Sequence, residues 1–135
     1  MKLSHFMLIG LMSLGFAFSA TAGSVLDSDT DLVPDPFDNC DAVANGPNDA
    51  SNQIDHDVDG YGTVCDGDYD DDLATGLADF NLFLADFGNA VTSEFDHDND
   101  GATGLSDFNA FLALFGGPPG PSGLTCAGVS VPCVP

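Results

Sequence analysis

Aspartate recurs in this chain at one fixed spacing, and no other feature constrains its folding as much. Four 12-residue windows carry Asp at positions 1, 3, 5 and 12: Asp27, Asp29, Asp31, Asp38; Asp55, Asp57, Asp59, Asp66; Asp68, Asp70, Asp72, Asp79; and Asp96, Asp98, Asp100, Asp107. Aspartate supplies 21 of the 113 residues after Ala22. At that density, chance gives about 0.1 such windows in roughly 100 starting positions, so the spacing is not a by-product of acidity. Alternate-residue Asp leading into Gly is also a poor helix. Two carboxylates about 5 Å apart repel by roughly 3 kcal/mol at an effective dielectric of about 20, and each window gathers four. The only Lys or Arg is Lys2, so salt bridges cannot offset that repulsion.

Lys2 belongs to a segment that reads as a secretory signal peptide. It forms a short basic start, Phe6 to Phe18 an apolar stretch, and Ala20-Thr21-Ala22 a cleavage site. Removal at Ala22 takes the formal charge from −21 to −22. The expected product is secreted, with no later stretch able to cross a bilayer. An acidic chain without cations repels nucleic acid and anionic membranes, which excludes both as partners. The 11 Phe of the full sequence, eight of them after Ala22, and its 44% hydrophobic content argue against a merely disordered acidic segment. Four cysteines in an exported chain favour disulfides and allow three connectivities; sequence proximity favours Cys40 with Cys65 and Cys126 with Cys133. No Cys-x-x-Cys spacing suggests zinc.

The segments after the loops divide the chain. From Gly23 to Gly67 it is rich in Asp, Asn, Pro and Gly, with too few apolar residues for a core of its own. From Asp68 to Gly116 each loop precedes an apolar stretch of helical period: Leu77, Phe80, Phe83, Leu84, Phe87, then Leu105, Phe108, Phe111, Leu112, Phe115. The two are near copies 28 residues apart, and neither short helix can bury its apolar face alone. They are expected to pack together with the phenylalanines between them. Residues 117–135 form a Gly/Pro-rich tail containing Cys126 and Cys133.

The loop chemistry points to calcium, which takes six to eight hard oxygens. Side chains at positions 1, 3, 5 and 12 are joined by the carbonyl of position 7, here Val33, Tyr61, Ala74 and Ala102. Position 9 often binds through water, which suits Gly76 and Gly104, whereas Asp35 is placed to ligate directly. Position 6 needs a sharp turn best made by Gly. Gly60 and Gly101 meet that demand and Leu32 and Leu73 do not, which ranks the loops at Asp55 and Asp96 first. Mg²⁺ dehydrates reluctantly and suits such cages less. His56 and His97, at position 2, are expected to face solvent. No nucleophile stands beside a base and the carboxylates are committed to metal, so the chain is not expected to be an enzyme.

The run from Asp27 to Cys40, Asp-Ser-Asp-Thr-Asp-Leu-Val-Pro-Asp-Pro-Phe-Asp-Asn-Cys, resembles a thrombospondin type 3 repeat, as does Asn52 to Asp66. The resemblance implies a calcium wire with little regular structure and a Cys40–Cys65 disulfide. Leu32 stands where that family has Gly, and Asp41 where it has Pro. The region from Asp68 to Gly116 resembles a paired EF-hand of the dockerin kind, which implies position-12 aspartates at Asp79 and Asp107 and a short β-bridge between Thr75 and Thr103. The expected fold is thus a small Ca-stabilised protein: signal peptide 1–22, an irregular thrombospondin type 3-like calcium wire over 23–67, an all-α dockerin-like EF-hand pair over 68–116, and the disulfide tail. The expected function is a secreted calcium-binding structural or adhesion module folded by up to four Ca²⁺ and largely disordered without it. The alternative is a dockerin-like protein that docks to a cohesin-like partner on a surface or scaffold, in a polysaccharide-degradation context. A calcium buffer or matrix component without a specific partner is the third reading.

Overall fold

The computed structural model describes residues 25–129 and 131–133; the signal peptide expected at 1–22 lies outside them. Among the described residues there are two α-helices and no strand. α1 spans Leu77–Asp86 and α2 spans Leu105–Leu114, with a short 3₁₀ turn at Asp35–Phe37. Each helix starts where the sequence supplies a stop for the preceding loop. Gly76 and Gly104 are extended, and the third helical residue turns its carboxylate back on them: Asp79 Oδ2 accepts the Gly76 N–H at 2.6 Å and Asp107 Oδ2 the Gly104 N–H at 2.7 Å. An acid in the first turn also suits the positive end of the helix dipole. Just past the helix ends stand Gly88 and Gly116, with φ of 93° and 87°, a left-handed conformation that favours glycine after a helix.

The helices run antiparallel. Thr75, before α1, donates its N–H to Gly117 O and accepts from Gly116 N–H beyond α2; Thr103, before α2, makes the matching pair with Asn89 and Gly88 beyond α1. Thr75 and Thr103 therefore do not bridge to each other as expected, because the antiparallel arrangement sets each loop beside the far end of the other helix. Phe83 and Phe111 stack between the helices with centroids 5.3 Å apart, flanked by Phe80 and Phe108. Tyr69 from loop 3 and Phe95 before loop 4 close the cluster. Burying a phenylalanine contributes roughly 1.5–3 kcal/mol. The apolar stripe is only partly used: Phe83 and Phe111 are 0% exposed, but Leu77 and Leu105 are 72% exposed, and Leu84 and Leu112 about half. One residue step turns the helix by about 100°, so Leu84 is carried off the face that holds Phe83, and a single partner helix covers half the stripe.

The first part of the chain is held by polar groups around a disulfide. Cys40–Cys65 is formed and buried, and Cys126–Cys133 is formed in the tail, the pairing that chain proximity favours. Beside the first bridge, Asn45 Nδ2 donates to Asn39 Oδ1 at 2.7 Å, Gln53 Nε2 to Asn45 Oδ1 at 2.6 Å, and Asn39 Nδ2 to the Gln53 carbonyl at 3.1 Å. Asn45 is 0% exposed, and a buried amide is tolerated only when so satisfied. The tail folds back onto this segment, with Gly120 N–H on Cys65 O and Asp41 N–H on Pro121 O.

Candidate metal centre

The four aspartate loops share one backbone conformation. Position 4 has a positive φ in each (Thr30 66°, Val58 61°, Asp71 59°, Asn99 53°), as does position 6 (Leu32 83°, Gly60 99°, Leu73 68°, Gly101 94°). The coil turns the position-6 N–H onto the position-1 carboxylate every time: Leu32 to Asp27 at 3.2 Å, Gly60 to Asp55 at 2.9 Å, Leu73 to Asp68 at 2.6 Å and Gly101 to Asp96 at 3.0 Å. Leu32 and Leu73 thus make the turn for which glycine was expected, at about 1–2 kcal/mol each. The missing glycines change the strain of those loops, not their shape.

Carboxylates converge as a result. Oxygens of Asp27, Asp29 and Asp31 lie within 4.8 Å of one another, as do those of Asp55, Asp57 and Asp59, of Asp68, Asp70 and Asp72, and of Asp96, Asp98 and Asp107. In the last loop Asp107 joins this triplet where Asp100 does not. Position 12 is delivered in two ways. Helix starts carry Asp79 and Asp107, whose Oδ1 atoms accept the position-3 N–H of Asp70 and Asp98 at 3.2 and 3.3 Å. No α-helix follows the first two loops. Asp38 Oδ1 is instead held by Cys40 N–H and Gln53 Nε2, and Asp66 Oδ1 by Asp68 N–H. At position 7, the carbonyls of Val33, Tyr61, Ala74 and Ala102 accept no hydrogen bond among the described residues. Asp35, expected as a direct ligand, has both oxygens engaged by Ser28 N–H and Oγ, at 2.7 and 2.8 Å.

These groups could hold a cation. Asp31, Asp38, Asp59, Asp66, Asp68, Asp79, Asp96 and Asp107 are buried, and buried charges are paired or bind metal. Asp29 Oδ2 and Asp38 Oδ2, both in loop 1, are buried without a hydrogen-bond partner. Burial, then the neighbouring Asp59, Asp57 and Asp68 charges, pushes the Asp66 carboxyl up to about 9. Burial and Asp55 push Asp57 up to about 6, and burial with Asp57 and Asp71 nearby takes Asp59 to about 6. Asp29, Asp68 and Asp96 are raised by burial first and neighbouring carboxylates second. An all-oxygen set of carboxylates and free carbonyls suits a hard divalent cation.

Two acids outside the spacing join the loops. Asp71 lines a cavity of about 140 Å³ with Asp59 and Leu73 and adds to the charge on Asp57 and Asp59, while Glu94 feels Asp57 and Asp86. Their proximity is tertiary, although Asp71 in the run Asp70-Asp71-Asp72 was a visible hint. The histidines part company. His56 is exposed as expected, but His97 is 2% exposed and its Nε2 lies 2.9 Å from the Tyr69 hydroxyl. Loop 4 packs its position-2 side chain against loop 3, and burial pushes this imidazole below its ordinary value. Comparison with protein-family models, curated proteins and solved structures returned no match.

Proposed function

We propose that this chain is a secreted, non-enzymatic calcium-binding module, structural or adhesive, that folds around as many as four Ca²⁺ ions. The observation that carries the reading is the common loop: four copies of one left-handed turn pattern, each bringing carboxylates together and leaving a position-7 carbonyl free. The two disulfides are typical of extracellular proteins, and no helix among the described residues is long and apolar enough to cross a membrane. The first two loops are read as a thrombospondin type 3-like wire and the last two as a dockerin-like EF-hand pair, with ligand binding contributing folding free energy. Calorimetric titration with Ca²⁺ tests this: Asp107→Ala is expected to remove one site, and unchanged stoichiometry would reject Asp107 as the closing ligand.

One feature favours the docking alternative. Leu84, Phe87, Leu105 and Phe108 line an entirely apolar recess of about 150 Å³ between the helices, and apolar patches of this kind mark interaction sites. A pull-down from surface proteins with calcium and with chelator separates the readings. One calcium-dependent cohesin-like partner supports docking, and none supports a spacer, matrix or buffer role.

A further inference from the structure

The C-terminal segment makes contacts that neither the helix pair nor the carboxylate clusters require. It runs along loop 2 and occupies three consecutive carbonyls there. Cys133 N–H donates to Val58 O at 2.6 Å, Gly128 N–H to Asp59 O at 3.0 Å, and Ser122 Oγ to Gly60 O at 2.7 Å. The next carbonyl, Tyr61 O at position 7, is left free among the described residues. The same segment reaches loop 1: Gly123 N–H donates to Asp38 O at 2.9 Å, and Ser122 Oγ lies 3.4 Å from that oxygen. The fit is close enough to exclude side chains. A Cβ on Gly60 would sit 2.5 Å from Cys133 Sγ and 2.8 Å from Ala127 Cα, and one on Gly120 would sit 2.8 Å from the Tyr61 ring.

The segment also touches loop 3, where a Cβ on Gly128 would sit 2.9 Å from the Leu73 side chain, but α1 and α2 carry the position-12 carboxylates of loops 3 and 4. Loop 2 has no helix after Asp66. We propose that tail residues 120–129 and 131–133, closed by Cys126–Cys133, are the positioning element of the loop 2 cation site and replace the missing helix. Ser122 is the positioning residue that ties loop 2 to loop 1. Holding carbonyls 4 to 6 fixes the peptide planes leading to Tyr61, so its carbonyl and the Asp59 carboxylate are set before a cation arrives. Preorganisation of this kind works through partners that never touch the metal. The proposal rests on the calcium reading above.

The site carries its own reporter. The chain has two tyrosines and no tryptophan, and Tyr61 lies in loop 2, so Tb³⁺ used as a stand-in for Ca²⁺ is sensitised there through Tyr61 once Tyr69→Phe silences the other ring. In that full-length background, Ser122→Ala, and separately Cys126→Ser with Cys133→Ser, are expected to move the Ca²⁺-displaceable Tb³⁺ titration to roughly 10–100-fold higher concentration. The helical circular dichroism response to Ca²⁺, which follows loops 3 and 4, is expected to keep its midpoint. Superimposable Tb³⁺ titrations in parent and variants overturn the proposal. Equal weakening of both responses also overturns it, since the segment would then be a general structural support. A parent without Ca²⁺-displaceable luminescence overturns the calcium reading itself, and the positioning role falls with it.

Discussion

Position 6 shows how single residues set the loops. Gly60 and Gly101 have nearly the same φ, 99° and 94°, but a Cβ on Gly101 would meet nothing within 4 Å, whereas one on Gly60 would strike Cys133 and Ala127. Gly101→Ala should therefore lose about 1–2 kcal/mol, the backbone cost alone, and Gly60→Ala clearly more; equal losses in chemical denaturation with saturating Ca²⁺ would refute the tail packing. The raised carboxyls make a second prediction. Asp66 at about 9 and Asp57 and Asp59 at about 6 hold protons more tightly folded than unfolded. Metal-free stability from these groups is then complete below about 4, and is lost as pH rises through about 6 and then about 9. In chelator the folded fraction, read as helical circular dichroism, should rise from pH 8 to pH 5, while Ca²⁺ affinity should fall over the same range because protons compete for the ligands. A metal-free form most stable at pH 8 would contradict this.

Among the elements, α1 and α2 were the most legible, since the repeated 3/4 spacing, the closing acid and the terminal glycine all lie within residues 77–88 and 105–116. Which part of the stripe is buried was not legible. Leu77 and Phe83 are both apolar residues of one helix, yet only the partner's position decides that Phe83 is enclosed and Leu77 is not. Phe83→Ala should cost about 3–5 kcal/mol and Leu77→Ala within about 0.5 kcal/mol in denaturant unfolding at saturating Ca²⁺. Comparable values would mean the helices pack on another face. The Thr75 and Thr103 pairings have the same cause: the spacing places both residues at position 8, but the antiparallel packing chooses their partners.

For the whole molecule, the net charge of −21 leaves a single Lys or Arg to offset the loop carboxylates, and the proposed calcium module is expected to fold as they are neutralised. Far-UV circular dichroism should show helix gained on adding millimolar Ca²⁺, and a spectrum in chelator identical to the loaded one would sink coupled folding. The sequence by itself determined the loop register, the two helices and the acidic charge, because spacing, period and composition are local properties of the chain. It was silent on four matters that only the tertiary structure decided: the burial of His97 against Tyr69, the amide cluster of Asn39, Asn45 and Gln53, the approach of Asp71 to Asp59, and the return of the tail over loop 2. Each joins residues far apart in the chain or on neighbouring loops, through hydrogen bonds and steric fit that no local pattern encodes. The aspartate loops were therefore visible before folding, while the contacts that hold them in place emerge only from the folded chain.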